Sequence, residues 1–446
     1  LPHHQQDQHH PNRIRIAFRT TGCKVNQADT EAVRQALADL PISWVAANAP
    51  ADMVVVNACT VTRAADRDGR AAVNRASRSG ASVFLAGCLA TRLAESPDES
   101  RIPDDCTIIP GTGDRAALIG ALRREITART GSFDLHPDDV DLHREDTEAR
   151  LAPMERARPL IKVQDGCDCR CAYCIVPLVR GPSTSEPLAR VMASVESAAI
   201  EGAAEVVLTG VDMAAWGRDS CEGELHDLLE RLIAMGTGLR FRLSSLEPHG
   251  LTDRLLDIMA ASRDICTHLH VPVQSGSDRV LAAMRRPRET GPVIDSLEKA
   301  AKRIPGLVLG LDILCGFPGE TDEDFQRTLH LVESLPVTYL HVFPFSPRPG
   351  THAATLVDDV SHAEKARRTA AMRTLSQSRR AAHAASLVGR EIEVVDVIQR
   401  KEGVIESLAT DYTRVRRLDA RGPRTGRFTV IVERADGPDA VSMEAG

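Results

Sequence analysis

Apolar residues along this chain fall into short runs, separated by stretches in which they recur at helical spacing. Residues 14–18, 53–56 and 83–86 read as buried strands, and residues 30–40 and 63–78 as helices between them. That alternation predicts a small parallel α/β domain over residues 13–128. An acidic, proline-containing stretch follows, with Asp134, Asp138, Asp139, Asp141, Glu145, Asp146 and Glu148, and reads as a linker over 129–152. From residue 153 to about 385 the alternation resumes, with strand candidates at 160–163, 205–209, 240–245, 268–274, 307–313 and 338–343. Helical spacing recurs between them, as at 224–234 and 322–335. Six βα units predict a partial (β/α)6 barrel, with ligand-binding residues at the C-terminal ends of its strands. A flavodoxin-like open sheet would give the same string, so periodicity leaves the topology open. The last segment, 386–446, changes texture. Its β-prone runs at 391–398, 413–418 and 427–433 are separated by turn residues and predict a small antiparallel β-barrel. The fold class is α/β in its first two parts, and no solenoid-period repeat occurs.

Composition narrows this picture. A chain of 446 residues with 43% hydrophobic and 26% charged residues has room for two or three ordinary cores. No run approaches 18 apolar residues, so no membrane span and no membrane partner is expected. Residues 1–12 are rich in His and Gln, lack the apolar core of a signal peptide and are expected to form a disordered tail. A cytoplasmic location follows. In that compartment disulfides are rare, so 11 cysteines need another role.

Four of them lie in one loop. The strand at 160–163 runs into Gln164-Asp165-Gly166-Cys167-Asp168-Cys169-Arg170-Cys171-Ala172-Tyr173-Cys174. Thiolates are strong iron ligands, and three of them leave one iron of a four-iron cluster open to substrate. A structural zinc site would want four ligands, usually as two Cys-x-x-Cys knuckles, and no second pair follows. Cys169 is extra to the Cys167-x3-Cys171-x2-Cys174 set and is expected to be a bystander. Three more cysteines each follow a predicted strand: Cys23 in Gly22-Cys23-Lys24-Val25-Asn26-Gln27, Cys59 in Asn57-Ala58-Cys59-Thr60-Val61-Thr62, and Cys88 in Gly87-Cys88-Leu89. In a parallel sheet such loops gather at one edge, where they could hold a second cluster. Buried space-filling is the alternative for any one of them.

The Cys167/Cys171/Cys174 spacing, with an aromatic just before the last cysteine, resembles the signature of the radical SAM superfamily. The resemblance implies a 4Fe–4S cluster, S-adenosylmethionine (SAM) on its open iron, and Tyr173 near the adenine. Small or polar residues at successive strand ends fit SAM contacts: Gly210, Ser245, Glu247, Gln274 and Gly316. Taken from about residue 13 to the C-terminal region, the order of domains resembles the methylthiotransferase family. That resemblance implies a second 4Fe–4S cluster on Cys23, Cys59 and Cys88, consumption of two SAM, and a terminal TRAM domain that contacts RNA. The loops at Cys23 and Cys59 look like the branch acting on N6-threonylcarbamoyladenosine in tRNA, although Ala58 departs from that branch's usual Thr. The other branches act on isopentenyladenosine in tRNA or on a ribosomal-protein aspartate. Implied partners are tRNA and an electron donor such as flavodoxin or ferredoxin, with the enzyme a monomer or weak dimer.

Charge supports RNA independently. The whole chain is at −7, yet residues 362–430 carry 15 Lys+Arg and 8 Asp+Glu, a local +7. Arg367, Arg368, Arg373, Arg379 and Arg380 fall on a helical stretch, and Arg414, Arg416 and Arg417 on a β-prone run. A solvated helix face would show the same pattern. His268 and His270 lie on a barrel strand and are expected to be satisfied core residues, with no catalytic role. Two rivals remain at this point: a radical SAM methylase or oxidoreductase with no N-terminal cluster, and an RNA-binding iron–sulfur sensor.

Overall fold

The computed structural model describes residues 13–95, 102–111, 115–130, 158–286, 289–399, 404–418 and 422–443. The acidic stretch and the N-terminal tail lie outside them. The chain divides into two units: Leu1–Ala152 with Leu178–Arg180, and Pro153–Pro177 with Gly181–Gly446.

The first unit is an all-parallel sheet of β1 (Ile14–Thr20), β2 (Ile42–Val45), β3 (Met53–Asn57), β4 (Ser82–Ala86) and β5 (Cys106–Ile108), in the order β2-β1-β3-β4-β5. Helices α1 (Lys24–Ala36), α2 (Arg63–Ser77), α3 (Cys88–Glu95) and α4 (Arg115–Thr130) cover it. β3 shows why both faces are covered. Met53 and Val55 pack with Val33 and Leu37 of α1 and Leu122 of α4, while Val54 and Val56 pack with Val73 of α2 and Leu89 of α3. A strand buried on both sides reads as a continuous apolar run, which is how it appears in the sequence. The edge strands β2 and β5 are short and mostly half-buried, and they escape the hydrophobic pattern. Helix α1 starts at Lys24 and not near residue 30, because Val25, Ala28 and Val33 already form its buried face.

The second unit begins with β6 (Leu160–Lys162), a two-stranded ribbon of β7 (Gln164–Asp165) and β8 (Thr184–Ser185), and α6 (Leu188–Ile200); between β7 and β8 runs α5 (Val176–Arg180), whose last three residues are grouped with the first unit. It continues with β9 (Glu205–Thr209), α7 (Leu225–Ala234), β10 (Arg240–Leu243), α8 (Asp253–Ala261) and β11 (His268–Gln274). Then come α9 (Asp278–Ala283), α10 (Thr290–Arg303), β12 (Val308–Cys315), α11 (Asp322–Ser334), β13 (Val337–Pro344) and α12 (His362–Ser386). Two parallel sheets, β10-β9-β6 and β11-β12-β13, are joined by parallel bridges Phe241–Ile265 and Ser245–His270. Spatial order therefore follows chain order from β6 to β13. An open flavodoxin-like sheet would reverse direction, so the ambiguity resolves to the partial barrel. Leu269, Val271, Leu309, Leu311, Leu340 and Val342 pack outward on the helices. Strand alternation turns His268, His270, Asp312, Tyr339 and His341 to the inner face.

The edge of β13 is capped by side chains of α12. Ser376 Oγ donates to and accepts from the Leu340 backbone, and Arg379 donates to the carbonyls of Leu335 and Val337 at 2.8 and 2.9 Å. At the opposite, N-terminal end of the barrel, Glu205 is fully buried among Arg158, Arg240 and Arg242. Those two barrel arginines reach on to the carbonyls of Leu408, Ala409 and Thr410, closing the barrel floor against the terminal sheet.

That sheet contains β14 (Glu391–Gln399), β15 (Val404–Ala409), β16 (Arg414–Leu418), β17 (Phe428–Ile431), β18 (Arg434–Asp436) and β19 (Asp439–Met443), in the order β17-β14-β15-β16-β19-β18. It is antiparallel except that β16 and β19 pair in parallel, so it is a mixed sheet and not purely antiparallel as expected. Val394, Ala409, Val415, Val430 and Ala440 form its core. No helix among the described residues is long and apolar enough to cross a membrane.

Candidate functional site

In the first unit, Cys23, Cys59 and Cys88 follow β1, β3 and β4, which are neighbours in the sheet. Cys23 is the N-cap of α1 and Cys88 opens α3, so both sit at helix N-termini, which favour thiolate. The Asn26 amide oxygen lies 3.9 Å from both the Cys23 and Cys88 sulfurs, while its nitrogen donates to the Thr21 carbonyl. Arg180, grouped with this unit, donates to the same oxygen at 2.5 Å and to Asp29 at 3.2 Å. Gly22, at φ +113°, lets the loop pass directly over Cys59. A methyl group there would overlap the Cys59 Cβ. Burial pushes the Cys88 thiol up to about 12, with the Arg180 charge opposing. Burial also raises Cys59, with the Val61 N–H opposing. Three converging thiols of this kind suit a thiophilic metal cluster, whose binding would release their protons. The Asn57 Oδ1 beside them is buried without a partner.

In the second unit, the loop that carries Cys167, Cys169, Cys171 and Cys174 follows β7. The turn into it is braced locally: Lys162 Nζ meets Asp165 at 2.7 Å, the Gly166 N–H donates to Asp165 at 2.8 Å, and the Gln164 amide donates to the Asp165 and Gly166 carbonyls. The Ala172 N–H donates to Met284 and the Ala172 carbonyl accepts from Ala353, tying the loop to the far side of the barrel. Tyr173 packs on the apolar cluster of Val280, Met284, Leu314 and Phe317. Arg286 reaches the Cys171 sulfur at 3.6 Å and clamps Glu247 at 2.5 Å. Burial pushes the Cys174 thiol up to about 12 and raises Cys171, where Arg286 opposes it. These three thiols also suit a cluster.

Cys169 is not idle. Its thiol meets Asp212 at 3.6 Å and its N–H meets the Cys167 sulfur at 3.4 Å. The hydrogen bond with Cys167, burial and the nearby charges hold the Cys169 thiol far above its ordinary range.

The sequence-predicted contacts Gly210, Ser245, Gln274 and Gly316 lie at the C-terminal ends of β9, β10, β11 and β12. Gln274 ends β11 at φ +73°. Gly316 already donates its N–H to Glu320 at 2.6 Å, and Glu247 is held by Arg286, so both are engaged within the protein. Sequence reasoning missed Arg286, Asp212 and Arg180, because no local pattern marks a side chain whose partner is remote in the chain. Asn26 was visible in its motif, though without a role.

The basic segment reads differently in three dimensions. Arg367 and Arg368 pair with Glu364 and Asp322, and Arg368 also with Glu320. Arg373 and Arg379 cap strand carbonyls. Arg414 meets Asp439, Arg416 meets Asp436, and the buried Arg417 meets Asp396 at 2.6 Å. Among the described residues, Arg380 alone of these eight has neither a hydrogen bond nor an ion pair. His270 is buried and bonded to Tyr339 and Asp312, as expected, whereas His268 is buried with its Nε2 on Tyr339 and its Nδ1 making no hydrogen bond.

Comparison with known proteins covers both cysteine sets. The model of the Radical SAM superfamily matches residues 161–332, and that of Uncharacterized protein family UPF0004 matches 15–107. Threonylcarbamoyladenosine tRNA methylthiotransferase MtaB of Bacillus subtilis is 33% identical over 408 residues, 89% of this chain and 88% of the relative. The tRNA-2-methylthio-N(6)-dimethylallyladenosine synthase of Chlorobium phaeobacteroides is 30% identical over 438 residues, 95% of each chain. Among solved structures, the radical S-adenosylmethionine methyltransferase TsrM from Kitasatospora setae aligns at TM-score 0.54 over 76% of this chain and 77% of that one. At 16% identity, that likeness is one of fold.

Proposed function

The chain belongs to the radical SAM methylthiotransferases, a family of sulfur-transferring enzymes, and from that premise we propose that it adds a methylthio group to C2 of N6-threonylcarbamoyladenosine next to the anticodon of tRNA. Cys167, Cys171 and Cys174 would hold a SAM-binding 4Fe–4S cluster, and Cys23, Cys59 and Cys88 a second one. When bound, the two clusters supply the electron for reductive cleavage of one SAM and the sulfur that is inserted with a methyl group from another. The observation that carries the proposal is the convergence of three strand-end thiols in the first unit, which a simple radical SAM methylase or an RNA-binding sensor would not need.

The chain's own residues have defined tasks in this reading. Lys162, Gln164 and Asp165 fix the turn that presents the cysteine loop. Arg286 orients the Cys171 sulfur and Glu247, and Tyr173 forms an apolar wall beside them. Gly210, Ser245 and Gln274 offer small or polar strand ends to SAM. Asn26 and Arg180 set a polar floor under Cys23 and Cys88. Residues 13–128 would form the methylthiotransferase domain, 153–385 the radical SAM domain and 386–446 the RNA-binding domain. A flavodoxin or ferredoxin would supply the electrons.

Dimethylallyladenosine is the second reading, favoured by relatives of about equal identity that bear that name. Mass spectrometry of tRNA nucleosides from cells lacking the chain separates the two. Loss of the methylthio mark from threonylcarbamoyladenosine supports the proposal, and loss from dimethylallyladenosine overturns it. Cys59→Ala should still release 5′-deoxyadenosine from SAM while forming no methylthio product.

A further inference from the structure

The inner wall of the barrel carries a connected polar cluster that neither cysteine site uses. Asp312 on β12 accepts from His270 Nε2 at 2.7 Å, and His341 Nδ1 lies 3.5 Å from the same carboxylate oxygen. Tyr339 links the other side, its hydroxyl 2.9 Å from His270 Nδ1 and 2.8 Å from His268 Nε2. The Tyr339 ring lies flat over Gly310, where any Cβ would overlap it. Burial pushes the Asp312 carboxyl up, but the hydrogen bonds and charges of His270 and His341 outweigh it and hold the group below its usual range.

Two features show that the cluster ends at an open surface. His341 is 52% exposed on its side chain, against 6% for His270. It also borders a cleft with Tyr339, Tyr412, Arg380 and the paired His383 and Asp411. Arg380 has no hydrogen-bond or ion-pair partner among the described residues and lies 5.9 Å from the Tyr339 ring centre. The cluster spans the barrel from its floor, where Arg380 and Tyr412 lie beside the first residues of β12 and β13, to the level of the strand ends that face the SAM loop. His270 bridges in register to Ser245, and its carbonyl accepts from Leu246, next to Glu247.

We propose that His341 and Arg380 form the subsite for the N6 side chain of the substrate nucleoside, Arg380 taking a carboxylate and His341 a hydroxyl or carbonyl, with Asp312, His270 and Tyr339 as positioning residues. The inference rests on the reading above that the substrate is an N6-modified adenosine, and it adds how that side chain is selected. A carbamoyl-linked amino acid carries the anion and the hydrogen-bonding groups this wall lacks. An apolar prenyl group would strip water from a guanidinium and an imidazole and return nothing, an arrangement that discriminates strongly.

The test uses the cluster-loaded enzyme and anticodon stem-loop RNAs that differ only in the N6 group of one adenosine. Wild type should bind the threonylcarbamoylated RNA about tenfold or more tightly than the unmodified one, as a charge-assisted pair provides. Arg380→Gln and His341→Phe should each remove most of that preference, and the KM for methylthiolation of the threonylcarbamoylated RNA should rise accordingly. Equal weakening of both RNAs by Arg380→Gln would mark a backbone phosphate contact and overturn the proposal. So would a preference that survives both substitutions, or equal affinity of wild type for the two RNAs. A stoichiometric zinc, iron or manganese ion beyond the clusters, lost in Asp312→Asn, would also overturn it by making the cluster a metal site. Wild type that methylthiolates only dimethylallyladenosine defeats the substrate assignment itself. Activity on threonylcarbamoyladenosine that is indifferent to both variants defeats only the subsite.

Discussion

Glu205 offers the sharpest stability prediction, because three arginines depend on one carboxylate at the barrel floor. Arg242 contacts it at 2.8 and 2.9 Å, Arg240 at 2.7 Å and Arg158 at 3.0 Å, all away from solvent. Burial pushes its carboxyl up, but the charges of Arg242, Arg158 and Arg240 outweigh that and hold it at about 2. Depression from the ordinary 4.5 to about 2 corresponds to roughly 3 kcal/mol of stability. Since the folded value is the lower one, this contribution is complete above pH 4.5 and is lost as pH falls towards 2. Glu205→Gln leaves three buried guanidinium groups around a neutral amide, which costs about 3–5 kcal/mol. For a unit of this size that lowers the melting temperature by roughly 6–15 °C. Differential scanning calorimetry of wild type and variant at pH 7 measures the loss. Repeating it from pH 4.5 downwards should show the gap closing as wild type protonates. The carbonyls of Leu408, Ala409 and Thr410 would lose their anchored donors, so protease cleavage near them should quicken. A variant melting within about 2 °C of wild type at pH 7 would refute the reasoning, because it would mean the arginines are satisfied without the carboxylate.

Three further outcomes follow from local geometry. Gly22→Ala forces a methyl into Cys59 at a backbone angle that L-residues avoid, so iron should fall from about eight to about four per chain while SAM cleavage persists; full iron content would contradict it. Cys169→Ala should leave iron content and 5′-deoxyadenosine release unchanged, since Cys167, Cys171 and Cys174 complete a three-thiolate set without it. A drop in either would make it a ligand. Gly310→Ala should dislodge Tyr339 and cost about 1–3 kcal/mol, read as a lower melting temperature, and Gly310→Ala with Tyr339→Ala should recover part of it.

Much of this was legible in the chain itself, and the reason differs by element. β11 appears at residues 268–274 as expected, because its outward residues form an unbroken apolar alternation and Gly276 ends it. The six cysteines were visible because their loops follow strands that the apolar runs identify. The edge strands β2 and β5 were not, since short half-exposed strands carry little pattern. The parallel pairing of β19 with β16 depends on partners remote in sequence, which periodicity does not encode. The arginines of α12 illustrate the same limit more sharply. A charge count makes them a phosphate-binding stripe, whereas carboxylates and carbonyls of α11, its flanking residues and β13 already occupy most of them.

The way α12 seals β13 bears on self-association. A six-stranded barrel has an edge strand whose backbone groups could recruit a strand from another copy. Here Ser376, Arg379 and Arg373 occupy those groups with side chains and no strand. The protection is therefore detachable. A chain truncated before His362, or a helix peeled away by Ser376→Pro, would present β13 as a sticky edge. Aggregation that grows with protein concentration, rather than simple loss of activity, would be its signature.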